Sequence, residues 1–232
     1  MIEQTYIKLI GKHPQSVAFI LGAGTSLYDI ITDHKDKFNS IFNHVVIAVN
    51  SSILIMDHQD KEKHYWLSVD SRCRDWTWWK QVKISKLTKV VVEKFNKCMK
   101  GVDDTLYFCA RPHPRYFIDP EDIGLECTSS SPAAIDLAIQ MGCKEIYLLG
   151  FDHYMAKGCS HFWQLWDKES QPKFTGGKIA THKSQREIFV KNTTAFNAMK
   201  RFADAKNVII YNCNPNSKVN VFKKIEFFRI RF

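Results

Sequence analysis

Short apolar runs punctuate the chain, each stopping abruptly at a glycine or a cluster of polar residues. They are VAFIL at 17–21, HVVIAVN at 44–50, HYWLSVD at 64–70, KVVVEK at 89–94, TLYFCA at 105–110, KEIYLLGFD at 144–152 and VIIYNCN at 208–214. All are rich in β-branched and aromatic residues and too short for a typical helix, so each predicts a strand. Several are apolar at nearly every position, the pattern of strands covered on both faces. Between them the periodicity changes. SSSPAAIDLAIQMG at 129–142 opens with serine caps, carries Pro132 in its first turn and ends at Gly142, which gives a full set of helix start and stop signals. SQREIFVKNTTAFNAMKRFADAKN at 184–207 predicts a longer helix, and residues 2–11 a short amphipathic one. Strands alternating with helices predict an α/β fold, with a mainly parallel sheet and helices on both faces. Residues 155–184 lose periodicity and gather glycine, proline and polar residues, which predicts a lid or mobile loop within the domain.

Composition narrows this picture modestly. With 232 residues, 45% of them hydrophobic, the chain can bury a sizeable core, and 1–232 reads as a single domain. No run approaches the roughly 20 apolar residues of a membrane helix, and an acid stands where a signal peptide would be basic, so a cytoplasmic protein is expected. Seven cysteines, odd in number and without a CxxC pair, suit reduced, buried thiols rather than a disulfide framework or a zinc site. The formal charge of +9 attracts anions: nucleotide phosphates, nucleic acid or an anionic membrane face. The basic residues are dispersed, so a solvated basic surface explains the charge equally well. The densest basic and aromatic mixture is the tail VFKKIEFFRIRF at 221–232, which reads either as a strand or as a peripheral membrane contact. Self-association, as a homo-oligomer, is left open.

In a parallel sheet, ligands gather beyond the carboxyl ends of the strands. There the sequence reads GAGTS at 22–26, NSS at 50–52, DSR at 70–72, ARPHPR at 110–115, GFDHY at 150–154 and NCNPNS at 212–217. GAGTS lacks the third glycine of a dinucleotide fingerprint and the GK[ST] of a phosphate loop, and a plain strand-to-helix turn accounts for it as well. Asn50 and Asp70 at the next two strand ends turn it into a candidate nucleotide cradle with Gly22, Gly24 and Ser26; helix capping is the alternative for Asn50. Asp152 is a candidate for a ribose or a metal and Tyr154 for a phosphate, against a polar cap and a packed aromatic, while alternation turns His153 away. His161 and His182, in or beside the lid segment, are candidate general bases, against the alternative of solvated histidines. HExxH and GxSxG patterns are missing, which removes zinc-protease and α/β-hydrolase chemistry.

Taken in order, ILGAGTSLYDI, IAVNSS, SSSPAAIDLAIQMGCKEIYLLGFDHY and NCNPNSKVNVFKKIEF resemble the motifs of the bacterial α-2,3-sialyltransferases of glycosyltransferase family 42. They also resemble a wider group sharing a domain with flagellin-accessory proteins and archaeal 6-hydroxymethylpterin diphosphokinases. The resemblance runs from the first strand to the last. It implies a Rossmann-like, glycosyltransferase-A-type sheet with a lid, and an inverting transfer from a nucleotide sugar, such as a CMP-sugar, to a glycan acceptor. By the same resemblance Gly22, Gly24, Ser26, Asn50 and Ser130 contact the donor, Tyr154 holds the leaving phosphate, and His182 deprotonates the acceptor hydroxyl. Thr25 stands where proline is usual, and Ala23 and Asp70 stand where the sialyltransferases carry asparagines, which implies a different donor sugar or a metal held by Asp70. The diphosphokinase branch implies Mg²⁺ around ATP, but Asp70 has no neighbouring D-x-D, so that activity ranks second. A non-catalytic binder of nucleotide or nucleic acid, suggested by the charge and by Trp76, Trp78 and Trp79, ranks third, with nucleic acid the least favoured partner.

Overall fold

The computed structural model describes residues 5–57, 59–110, 124–156, 158–176 and 182–231, apart from the side chains of 182–186. The strands are β1 (Val17–Leu21), β2 (Val45–Val49), β3 (His64–Ser68), β4 (Thr88–Val92), β5 (Thr105–Phe108), β6 (Glu145–Leu149), β7 (Ile209–Asn212) and β8 (Lys223–Lys224). They form one eight-stranded sheet in the order β5-β4-β3-β2-β1-β6-β7-β8, and every pairing is parallel. The helices α1 (Ser26–Asp33), α2 (Lys35–Ser40), α3 (Trp79–Ile84), α4 (Ser130–Gln140) and α5 (His182–Ala205) flank it. This is the expected α/β class and is consistent with a Rossmann-like architecture.

The apolar runs explain the layering. Every residue of β2 and β3 is buried, on both faces of the pleat, so each needs cover on both sides. Phe19, Trp66, Tyr65 and Phe108 fill the core around the middle strands. From β1 the strand order steps outward through β2 to β5; the chain then crosses back to place β6 on the other side of β1. The order therefore reverses between β1 and β6, and the loops leaving their carboxyl ends diverge there. α4 packs over β1, β2 and β3 and also against α5, which touches β7. At 24 residues α5 is ~36 Å long, about twice a five-residue strand, so its first turns rise past the carboxyl edge.

Several local expectations need correcting. The segment expected as an amino-terminal helix forms only a 3₁₀ turn at Tyr6–Leu9 among its described residues. The tail forms only the two-residue strand β8 rather than a full strand. After β8 it makes a 3₁₀ turn at Phe227–Arg229, with Phe227 and Ile230 buried and Phe228 exposed. Lys37 Nζ fastens it by donating to the carbonyls of Phe228 (2.7 Å) and Ile230 (2.5 Å). The cysteines are unpaired, and against the expectation of buried thiols only Cys73, Cys143 and Cys213 are buried, because Cys98 and Cys109 fall in connections after β4 and β5. No helix among the described residues is long and apolar enough to cross a membrane.

Candidate functional site

β1 turns into α1 through Gly22, Ala23 and Gly24, and the reason for both glycines is contact with β6. A Cβ on Gly22 would stand 2.6 Å from the Gly150 carbonyl oxygen, and one on Gly24 would stand 2.5 Å from Asp152 Oδ2. With no side chains in the way, the Gly22 N–H donates to Leu149 O (2.8 Å) and the Gly24 N–H to Gly150 O (2.9 Å). Gly150 adopts φ +72, a left-handed backbone that suits glycine. The Gly22 carbonyl in turn accepts from Ser52 Oγ at 2.6 Å.

This contact brings Asp152 to the amino end of α1. Its carboxylate is buried (3% exposed) and accepts from Ser26 N–H (2.8 Å), Ser26 Oγ (2.5 Å), Thr25 Oγ1 (3.3 Å) and Asn214 Nδ2 (2.8 Å). A helix amino terminus stabilises negative charge, and here the chain supplies that charge itself. Asn214 also donates to Tyr154 OH at 3.2 Å, and burial raises the Tyr154 phenol above its usual range. Gly22, Gly24, Ser26, Asp152 and Tyr154 are thus brought together at the switch point. Asn214 was not singled out by sequence reasoning; the signal was present in NCNPNS, a strand end dense in amides.

At the next strand end the arrangement differs. Asn50 has φ +52, its carbonyl accepts from Trp66 Nε1 (2.8 Å), and its Oδ1 accepts from Ser130 Oγ at 3.0 Å. Ser130 Oγ in turn accepts from the Val69 N–H (3.0 Å), tying β2, β3 and the start of α4 together. The Asn50 amide NH₂ makes no hydrogen bond to any described residue. Ser129, the residue capping α4, has its hydroxyl covered and without a partner. Asp70 sits one strand further along, where Arg72 grips it: Nε lies 2.9 Å from Oδ1, Nη2 lies 2.6 Å from Oδ2, and the Arg72 N–H caps the turn at 3.0 Å. Burial pushes the Asp70 carboxyl up, but the hydrogen bonds and charge of Arg72 outweigh it and hold the group below its usual value. Among the described residues no three His, Cys, Asp or Glu side chains gather to hold a metal ion.

The segment read as a lid lies across these strand ends in its described part. The Phe162 N–H donates to Ala23 O (2.9 Å), and Trp163 Nε1 to Ser51 Oγ (3.2 Å). Trp76 packs on Trp163 and Phe174, with ring centroids 5.3 and 5.0 Å away, and Thr77 N–H and Thr175 N–H bond to Lys173 O and Asp75 O. Trp78 and Trp79, by contrast, are buried in the core. His161 lies against Trp163 with Ser160 Oγ 2.8 Å from its Nδ1, and burial lowers its pKa to about 4. His153 (φ +54) stacks on Phe189 of α5, and burial likewise lowers it to about 4, in keeping with a ring turned from the strand ends. His182 is the first residue of α5; its side chain lies outside the described residues, as do residues 177–181 of the lid segment and, beyond Ala110, the strand end ARPHPR. No family model matches the chain, and no curated protein matches it either.

Proposed function

We propose that the carboxyl edge formed by Asn50, Ser130 and Asp70, roofed by the Trp163 segment, binds the nucleotide of an activated sugar, and that the protein transfers this sugar to a glycan hydroxyl with inversion. One observation carries the reading. Asn50 is held in a left-handed backbone, with its carbonyl and Oδ1 both committed and its NH₂ left over, beside a helix terminus where the Ser129 hydroxyl is also unpaired. Asparagine adopts this region more readily than most residues with a Cβ, and non-glycine residues held there concentrate at binding sites. Buried or half-buried polar groups without partners are groups a ligand can satisfy. His182, at the head of α5 near the end of the lid segment, is the proposed base for the acceptor hydroxyl, and the Tyr154 phenol stabilises the departing phosphate.

The grip of Arg72 on Asp70 favours this metal-independent reading over a Mg²⁺-dependent diphosphokinase, since a cation would have to displace a bidentate guanidinium. The buried Phe227 and Ile230 favour a tail that belongs to the fold over one that anchors to a membrane. Thermal shift with CMP, CDP, UDP, GDP, ADP and ATP, each with Mg²⁺ and with chelator, tests the assignment, because a ligand that binds only the native state raises its stability. Magnesium-independent stabilisation by a cytidine, uridine or guanosine nucleotide, lost in Asn50→Ala, is the expected result. A response to ATP and Mg²⁺ alone transfers the assignment to the diphosphokinase, and silence with all six overturns both.

A further inference from the structure

At the opposite, amino-terminal edge of the sheet a cavity of about 290 Å³ opens between the first turn of the chain and the starts of three strands. Its wall combines Lys8, Leu9 and Lys12 with Lys61 and Glu62, which precede β3, Thr88, which begins β4, and Asp104 and Leu106 at the start of β5. We propose that this cavity is a second binding site, for a phosphate monoester carried on a small hydroxylated body, the chemistry of a sugar phosphate.

The charges are arranged for a dianion. Lys12 Nζ already pairs with Glu62 at 2.9 Å. Behind Thr88, the buried Lys89 ammonium donates to the carbonyls of Ser85 (2.6 Å) and Asp103 (3.2 Å), and burial lowers its pKa against the attraction of Asp104 and Asp103. Among the described residues the ammonium groups of Lys8 and Lys61 make neither a hydrogen bond nor an ion pair, which leaves two cations facing one cavity. Two ammonium groups complement a phosphate monoester better than a carboxylate, and a concave wall concentrates their field. The other polar groups suit hydroxyls. Thr88 Oγ1 donates to Lys61 O (3.1 Å) and so presents a lone pair, while Glu62 and Asp104 accept. Buried Leu9 and Leu106 give the body an apolar floor. The volume sits at the lower end of small-molecule sites, roughly 300 Å³ and upward, which fits a sugar phosphate and leaves no room for a whole nucleotide sugar. The site is independent of the carboxyl-edge reading and stands or falls separately.

Calorimetric titration with glucose 6-phosphate, inorganic phosphate and glucose at matched ionic strength tests it. Saturable binding of glucose 6-phosphate, weaker binding of phosphate and none of glucose is expected. The double variant Lys8→Glu/Lys61→Glu should weaken binding at least about tenfold. The double variant Lys80→Glu/Lys83→Glu, which changes the net charge equally on exposed residues of α3, should not, and neither should Asn50→Ala. All of these lysines are exposed, and circular dichroism verifies that each variant keeps its fold. Any of three results overturns the proposal: no saturable binding, equal loss in both lysine pairs, or loss in Asn50→Ala. Phosphate binding as tightly as glucose 6-phosphate overturns the assignment of a hydroxylated body.

Discussion

At the end of β1 the side-chain polar groups are committed to one another: the Asp152 carboxylate takes Ser26, Thr25 and Asn214, and the glycines take the carbonyls of Leu149 and Gly150. One strand away, at the end of β2, Asn50 keeps an amide NH₂ in hand and Ser129 a hydroxyl. The two turns occupy the same edge of the same sheet and look alike in sequence, small and polar after an apolar run. What separates them is a neighbour in space. β6 delivers an acid to the first turn, whereas α4 delivers a serine to the second. A glycine-rich turn at a switch point is therefore no measure of an open anion site until the groups facing it are known, and here the second turn is the better candidate.

Acid tests both regions most severely. His153 belongs to the first region and His161 to the segment over the second, and burial lowers each from 6.5 to about 4. Above pH 6.5 both are neutral in the folded and unfolded chains. Between about 6.5 and about 4 the unfolded chain binds protons that the folded one refuses, so stability falls as pH falls, on the order of 1 kcal/mol per unit for each. Urea unfolding across this range should show the slope, and His153→Phe or His161→Phe should each reduce it; an unchanged slope in both would remove the histidines as its cause.

Asp152→Ala comes next. Its loss strands four donors on three residues and uncaps α1, at about 3 kcal/mol in denaturant unfolding, and a change under 1 kcal/mol would mean the first turn is not closed by this carboxylate. Gly24→Ala, whose methyl would meet Asp152 and Gly150, should lower stability by about 2 kcal/mol on the same assay. The smallest effect on stability and the sharpest on function is Asn50→Gly. Glycine accepts φ +52 without strain, so stability should change by less than about 1 kcal/mol while nucleotide stabilisation disappears. Retained nucleotide response in this variant would erase the distinction between the two turns.

The sheet was legible because its strands are covered on both faces, which writes them as continuous apolar runs; α4 was legible because Ser129, Pro132 and Gly142 mark its ends. The tail was misread because VFKKIEFF alternates in a way that suits a strand, whereas Phe227 and Ile230 both turn inward and Lys37 holds the backbone. Within the site, Gly22, Gly24, Ser26, Asp152 and Tyr154 could be placed at strand ends, but not paired with one another. Their partners are long-range: Ser26 and Asp152 are 126 positions apart, and periodicity carries no information across that distance. Asn214 escaped notice for the same reason. The Arg72–Asp70 grip, two residues apart, is local, yet nothing in DSR distinguishes a paired aspartate from a free one.

The placement of β6 against β1 also sets the order in which the molecule can be assembled. β1 leaves the ribosome well before the strand on its far side and the acid that caps α1, which follow more than a hundred residues later, and Asn214 follows Asp152 by a further 62. A nascent chain must therefore carry one bare flank of β1 until β6 has been made. Contacts this distant in sequence slow folding, and an open strand edge invites pairing with other chains. Refolding from denaturant should be slow and concentration-sensitive for this reason, and chains ending before residue 145 should aggregate rather than form a smaller version of the sheet.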